Sequence, residues 1–194
     1  MTLVCQSVMK RLLAILGMTI MLWWMGTQSA AAAIPEDVQK LLETNDCPVC
    51  ILSEANLQEQ DLQKANLKIA VLAQANLQGA DLSGANLVLT DMGYANLSGA
   101  TLADSQMNGA NLHEAILTGA DLSRAEMTQA NLEDADLTDA NLENAIMLSV
   151  VLGEANLTNA NLKGANLRGV NRSRAILCNT IMPDGVVENR SCPN

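Results

Sequence analysis

Cysteines are the residues of this chain whose type and spacing could support chemistry. The 194-residue chain has five, and Cys47 and Cys50 stand at the C-x-x-C spacing around Pro48 and Val49. A pair at this spacing could exchange disulfides with another thiol or supply half of a zinc site. It could also form a disulfide that only fastens the backbone.

The surroundings of this pair favour a fastening role. Redox activity favours a C-x-x-C that opens a helix, because the helix dipole lowers the thiol pKa, whereas Cys47 follows a helical pattern and precedes extended repeats. Zinc would need further ligands, and the single histidine, His113, lies far along the chain. We predict the local disulfides Cys47–Cys50 and Cys178–Cys192, with no metal and no cofactor. A free thiol pair, a redox role and a zinc site remain alternatives.

Other residue types give no catalytic constellation. His113 falls at an outward position of the repeats described below, where a surface role is expected. Neighbouring carboxylates such as Asp134 and Asp136 recur because one position of each repeat is polar, so they do not indicate an acid/base pair. The sequence contains no phosphate-binding loop. We predict that the protein is not an enzyme and has no catalytic or cofactor-binding residues.

The element that must position these residues is a five-residue repeat. Counting in fives from Leu52 to Leu177 gives 26 positions, of which 21 are Leu, 4 are Met and one is Arg172. Alanine stands two residues earlier in 20 of the 26 cases. Asn or Asp usually lies between the two, as in the run from Ala155 to Gly169.

A period of five excludes both regular secondary structures. A helix advances about 100° per residue, so leucines five apart would circle it and form no stripe. In a straight strand an odd spacing sends successive leucines to opposite faces. The pattern works only if the chain bends in every repeat, with Ala and Leu inward, Asn or Asp outward, and two turn-forming residues such as Ser98-Gly99 at the bend.

The tandem motif A-(D/N)-L-x-x resembles the pentapeptide-repeat family over residues 50–177. The resemblance implies an all-β fold, a right-handed quadrilateral β-helix (a pentapeptide-repeat solenoid) with four repeats, or 20 residues, in each coil. Met107, Met127 and Met147 then share one column, where they would fill the core because methionine adapts to irregular space.

The N-terminal region predicts an export signal over residues 1–33. Lys10 and Arg11 precede an apolar run at 12–25, and small residues follow up to Ala33. An uncleaved membrane anchor is the alternative, although the run is short for a span. Cleavage would remove both bases and no acid, so the net charge of −10 would become −12. We predict export to a periplasm or a thylakoid lumen.

The two ends of the repeats carry predicted caps. Residues 34–49 contain a short N-terminal capping helix with Pro35 in its first turn, followed by the cysteine-containing turn. Solenoid ends need capping, so one apolar face of that helix would cover the first coil. The face consists of Ile34, Val38, Leu41 and Leu42. Residues 178–194 form the C-terminal cap. Arg172 falls at a nominally inward position, which predicts that the shaft opens to water there.

Two departures from the consensus of the five-residue repeat could form binding sites. Acids crowd one coil at Glu126, Glu133, Asp134, Asp136, Asp139 and Glu143, whereas bases gather later at Lys163, Arg168, Arg172 and Arg174. A solvated face that keeps a repetitive β protein soluble is the favoured explanation of this charge pattern, and a binding site is the alternative. Apolar residues also occupy outward positions around one corner of the square, which predicts either a docking strip or local packing; they are Ile69, Val71, Val88, Leu89, Ile146, Leu148 and Val151.

These features favour a non-enzymatic, exported scaffold or protein-interaction module that binds an unknown protein partner or itself. The acidic surface argues against direct nucleic-acid binding, and a membrane contact would come only through an uncleaved signal segment. The resemblance offers one alternative, because some members of the family mimic DNA and bind gyrase. A redox role of Cys47 and Cys50 is a third reading.

Overall fold

The computed structural model describes residues 32–192, so the predicted signal peptide lies outside the described residues except for its last two positions. The regular elements are helix α1 (Pro35–Thr44), strand β1 (Thr180–Ile181) and strand β2 (Val187–Glu188). Between α1 and β1, residues 20 apart pair as isolated parallel bridges, from Asp46↔Asn66 to Asn161↔Ile181. Within residues 32–192, no helix is both long and apolar enough to cross a membrane.

Each repeat uses its five positions, here called slots, in the same way. The first slot (usually Ala) and the third (usually Leu) point inward, and the second (usually Asn or Asp) points outward and carries the bridge. The fourth and fifth slots form the turn. The fifth slot has a left-handed backbone, with φ of 64° at Gly99 and 56° at Lys64, and that conformation suits glycine best.

In a regular repeat three backbone hydrogen bonds join neighbouring coils, as the second repeat of the third coil (residues 95–99) shows. The third-slot amide of Leu97 donates to the carbonyl of Ile116 (2.7 Å), and the fifth-slot amide of Gly99 donates to Thr118 (2.9 Å). The second-slot amide of Asn96 donates backward to Ala75 (2.9 Å). These bonds satisfy the backbone polar groups while the inward side chains stack.

The core is a continuous shaft of the first-slot and third-slot side chains. Leu67, Leu87, Met107, Met127 and Met147 are all fully buried in a single column, so the prediction that the methionines fill the core is confirmed. Burying a leucine or methionine side chain contributes about 1.5–3 kcal/mol, and the repeat supplies such a side chain every five residues.

Helix α1 closes the first coil through fewer apolar residues than predicted. Leu41 is fully buried and Val38 packs on the core, but Ile34 and Leu42 are 39% and 47% exposed. Leu42 lies about 100° around the helix from Leu41, which turns it away from the coil. Polar contacts complete the cap: the Ile51 amide donates to the Asp37 carboxylate (2.8 Å), and the Ile34 amide donates to the Ile51 carbonyl (2.9 Å).

The C-terminal end is covered by the antiparallel hairpin of β1 and β2. The Ser191 amide donates to the Leu177 carbonyl (3.0 Å), which holds the chain after the hairpin against the last repeat. The repeat before it is irregular. Residues 171–174 are all exposed, and Arg172, which would occupy the inward third slot, lies in solvent. Arg172 therefore avoids the apolar shaft, and the opening of the shaft to water stays a prediction.

Candidate functional site

The four cysteines outside the signal region form two pairs. The sulfurs of Cys47 and Cys50 are 1.99 Å apart, and those of Cys178 and Cys192 are 2.01 Å apart. The first disulfide joins the turn after α1 to the first coil. The second closes a loop around the C-terminal hairpin. These are the two pairs favoured by the sequence, and each lies at one end of the solenoid.

The first disulfide is buried beneath helix α1. Cys47 is fully buried and Cys50 is 4% exposed, so a reductant has little access to either sulfur. Asp37 is the one other potential metal ligand beside them, and its carboxylate and both sulfurs lie within 4.8 Å of one another. Sulfurs that are bonded to each other are not thiolates, which are the form that binds zinc. This geometry fits a fastening role.

His113 belongs to a surface cluster on one corner of the square. Its Nε2 lies 3.2 Å from the Glu114 carboxylate, and its Nδ1 lies 3.1 Å from the Glu133 carbonyl. Its ring stands edge-on to Tyr94 at 5.7 Å. A hydrogen bond to Glu114, reinforced by the charge of that carboxylate, raises the pKa of Tyr94. These contacts tie neighbouring coils together on the outside.

Asp134 and Asp136 do not act as a pair. Asp134 occupies an exposed turn slot, whereas Asp136 occupies a half-buried second slot. Burial alone would raise the pKa of Asp136. Hydrogen bonds from the Thr138 hydroxyl (2.6 Å) and amide (3.0 Å), and from the Thr118 hydroxyl (3.0 Å), outweigh it and lower that pKa. Asp136 is thus held as a carboxylate by its own turn and by the preceding coil.

Second-slot side chains form amide ladders that run in one direction. Asn131 donates from Nδ2 to Oδ1 of Asn111 (3.3 Å), which donates in turn to Oδ1 of Asp91 (2.8 Å). Each Oδ1 also accepts the amide two residues further on, as at Gly93 (3.2 Å). The amide group therefore faces the preceding coil, and an aspartate, which only accepts, suits the first rung. Asp46 and Asp121 begin ladders in the same way.

Charged side chains pair along the solenoid axis in two places. Arg124 contacts Asp104 at 2.7 Å, and Arg174 contacts Glu154; both pairs join residues 20 apart. The hydrogen bond and charge of Arg124 lower the pKa of Asp104. All four side chains are more than half exposed, so solvent screens each pair and its contribution to stability is small.

The predicted docking residues lie around one corner but do not form a continuous strip. Ile69, Leu89, Ile146 and Val151 are 45%, 57%, 38% and 48% exposed, while Val71, Val88 and Leu148 are half-buried. Two coils with polar residues at the same corner, including Asn108 and Gln129, separate them into two groups. We call the larger group the N-terminal apolar cluster, and it comprises Val49, Ile51, Ile69, Val71, Val88 and Leu89.

Two members of this cluster, Val49 and Ile51, are not among the docking residues predicted from the sequence. Val49 is 66% exposed and stands 20 residues before Ile69, and Ile51 is 40% exposed and stands 20 residues before Val71. Val49 falls in the predicted cap (34–49) and Ile51 in the first repeat, and neither was predicted as part of the outward apolar columns. The 20-residue spacing could have identified them, because it extends the Ile69 and Val71 columns back by one coil.

The five-residue repeats match the model of a known protein family. The family model for pentapeptide repeats matches in 8 copies over residues 50–87, 95–134, 135–171 and 145–182. This chain belongs to the pentapeptide-repeat family. Proteins of this family form right-handed β-helical solenoids and generally serve as structural or interaction modules. No curated protein matches the chain.

Several solved pentapeptide-repeat structures are similar to this one. HetL from Nostoc sp. strain PCC 7120, described as involved in heterocyst differentiation regulation, is 30% identical over 74% of this chain and 76% of its own, with a TM-score of 0.34. A protein from the Arabidopsis thaliana thylakoid lumen is 32% identical over 56% of this chain and 69% of its own (TM-score 0.35). QnrB1, a plasmid-mediated fluoroquinolone resistance protein, is 22% identical over 72% and 74% (TM-score 0.47).

Proposed function

We propose that this pentapeptide-repeat protein is a non-enzymatic, exported scaffold or interaction module whose contact surface is the N-terminal apolar cluster. The observation that carries the proposal is a column of three exposed apolar residues, Val49, Ile69 and Leu89, at 66%, 45% and 57% exposure. These positions belong to turns, where the family motif tolerates polar residues, so the fold does not require apolar side chains there. A contiguous exposed apolar patch is typical of an interaction site.

The proposal of export rests on the sequence of residues 1–33 and on the cysteines. A basic start, an apolar run and small residues are typical of a cleaved signal. Disulfides persist in oxidising compartments such as a periplasm, and the two pairs at the solenoid ends suit that environment. Fractionation of the source cells should place the shortened protein outside the cytoplasm, and a cytoplasmic full-length protein would refute export.

A double substitution tests the contact surface. Lysine fits the fifth slot, because Lys64 already occupies it with a φ of 56°, so Ile69→Lys with Leu89→Lys should fold normally. Ile116→Lys is the matched control, since Ile116 is 43% exposed and stands in a different column. The tagged protein is crosslinked in the compartment where it resides, and its oligomeric state is measured by light scattering. The double variant should lose partners or self-association, and the control should keep them.

DNA mimicry of gyrase is the second candidate, and the acidic middle of the solenoid is the observation that favours it. No base occurs between Arg124 and Lys163. The predicted export signal opposes this candidate, because gyrase acts on chromosomal DNA in the cytoplasm. Inhibition of gyrase supercoiling by the purified protein would support mimicry, and an inactive protein would remove it.

A further inference from the structure

A cleft lies beside the C-terminal hairpin, where the irregular repeat at residues 171–174 approaches it. Its lining consists of Arg172 and of residues between 182 and 188, and we call it the C-terminal cleft. Its volume is about 390 Å³, which falls within the range of pockets that bind small ligands, about 300–1,000 Å³. The C-terminal cleft therefore has room for a small molecule.

Most of the lining of this cleft is apolar. Four of the seven lining residues are Met182, Pro183, Val186 and Val187. Met182 is 6% exposed and belongs to the core, whereas Val186 and Val187 are 61% and 50% exposed. The hairpin holds the valines in place, because the Met182 amide donates to the Val186 carbonyl (2.8 Å) and Val187 lies in β2, which pairs with β1. The cleft thus offers a fixed apolar wall to a ligand.

The charged groups of the cleft differ in whether they have a partner in the protein. The Asp184 carboxylate accepts a hydrogen bond from the Val186 amide (3.0 Å), and the Glu188 carboxylate lies 3.4 Å from the Arg190 guanidinium. The carbonyl of Arg172 accepts from Arg190. Its guanidinium, however, forms no ion pair with any group in residues 32–192. Among the described residues that line the cleft, Arg172 therefore has the charge that is available to a ligand.

The repeat itself gives no reason for an arginine at position 172. The 26 third slots from 52 to 177 hold 21 Leu, 4 Met and this one Arg. A leucine would gain stability from burial in the shaft, whereas a guanidinium is costly to desolvate and lies in solvent. The surrounding charge favours an anion, because residues 155–183 contain four bases and no acid. Binding of an anion would give this exception a function.

We propose that the C-terminal cleft binds a medium-chain alkyl carboxylate, with the carboxylate on Arg172 and the alkyl chain against the apolar wall. A guanidinium can bind a carboxylate through two parallel hydrogen bonds, so arginine suits this anion. The wall suits an alkyl chain, because the burial of each methylene group is favourable. An eight-carbon acid has about ten heavy atoms. At about 30 Å³ each, the share of a water molecule in the liquid, it needs about 300 Å³ and fits the cleft.

A series of small ligands tests this proposal on the full chain. Octanoate is the probe, used below the concentration at which it forms micelles. Binding is measured by calorimetry, and NMR locates the site through the methyl signals of Met182, Val186 and Val187. Octanoate should bind and shift these signals. Octan-1-ol keeps the alkyl chain without the charge, and butyrate keeps the charge with half the chain, so each should bind at least tenfold more weakly. Octylamine, with the opposite charge, should not bind in the cleft.

Two matched variants test the same site from the protein side. Arg172→Gln removes the charge and should weaken octanoate binding at least tenfold. Arg168→Gln is the control and should bind within about twofold of the wild type, because Arg168 is an exposed base of the same region that does not line the cleft.

Other outcomes would overturn the proposal. They are equal weakening by the two variants, equal affinity for octan-1-ol and octanoate, and methyl shifts at the N-terminal apolar cluster in place of the hairpin. The ligand series decides even if Arg172→Gln fails to fold. Ile69→Lys with Leu89→Lys should bind octanoate normally, which separates this site from the contact surface of the proposed function.

Discussion

Leu89 lies directly over Gly109, the next residue in its column. A Cβ on Gly109 would be 2.7 Å from Cδ2 of Leu89, well inside van der Waals contact. The side chain of Leu89 therefore rests on the backbone of Gly109. It forms the edge of the N-terminal apolar cluster that lies nearer the C-terminal end of the solenoid. A polar coil begins immediately beyond this contact.

Replacing this glycine should disturb the cluster. Gly109→Ala places a methyl group against Leu89 and also puts alanine at a φ of 68°, which costs roughly 1–2 kcal/mol. Gly99→Ala is the control, because its φ is 64° and no atom lies within 4 Å of its added Cβ. In urea unfolding, Gly109→Ala should be the more destabilising of the two. The difference should disappear when Leu89 is also alanine, and a persistent difference would contradict the contact.

Ser105 should be replaceable with a gain in stability. It occupies a first slot, where alanine is usual, and among residues 32–192 its hydroxyl is the buried side-chain polar atom without a partner. An unsatisfied buried hydroxyl costs about 1–3 kcal/mol. Ser105→Ala should therefore raise the free energy of unfolding by about 1 kcal/mol.

Thr90 provides the opposite case in the same kind of slot. Its hydroxyl donates to the Leu67 carbonyl at 2.9 Å in the buried shaft. Thr90→Val keeps the shape but removes the donor, so it should lower the free energy of unfolding by about 1 kcal/mol. Chemical denaturation of both variants measures the contrast, and a loss of stability in Ser105→Ala would show that its hydroxyl has a partner after all.

The amide ladders predict an asymmetric response to exchanging Asn and Asp. Asn111→Asp puts a carboxylate above Asp91 and removes the donor between them (2.8 Å). Two unit charges about 4 Å apart repel by about 1 kcal/mol in water, so this variant should be destabilised at pH 7 by at least that amount. Asp91→Asn should be nearly neutral, because Oδ1 still accepts from Asn111. Equal losses from both substitutions would argue against directional ladders.

Acid should weaken the middle of the solenoid partly through Asp136. Its pKa is lowered in the folded protein, so its contribution to stability is complete above the ordinary aspartate pKa of about 3.9. That contribution is lost as the pH falls through the lowered folded pKa. Asp136→Asn should therefore show a smaller loss of stability between pH 5 and pH 2 than the wild type, measured from urea midpoints. Thr138→Val, which removes one donor, should lie between them.

The repeat made most of the architecture predictable from sequence. Leu and Ala in alternate slots can both be buried only if the chain bends every five residues, so the buried columns and the turns follow from the sterics of the backbone. The number of repeats per coil came from family resemblance, because spacing alone does not count corners. The bridge from Asp46 to Asn66 shows that the 20-residue pairing begins before the first leucine of the array.

The candidate sites were less predictable because they depend on exceptions to the repeat. The sequence marked Arg172 as an exception at an inward slot, but it did not show that all of residues 171–174 would be exposed, since this depends on how the whole repeat moves. The exposure of Leu42 differed from prediction for a similar reason. A short helix has several apolar residues, and only its docking angle decides which one meets the coil.

Because every rung lies above the residue 20 positions earlier, the solenoid tolerates length changes only in whole coils. Deleting 20 residues from the middle would shorten the solenoid by one coil and leave ladders such as Asp91–Asn111–Asn131 aligned. Deleting a single five-residue repeat would rotate everything downstream by a quarter turn. The residues before the deletion, such as the N-terminal apolar cluster, and those after it, such as the basic residues at 163–174, would then lie on different sides of the solenoid from each other. Insertions and deletions in this protein should therefore occur in steps of four repeats.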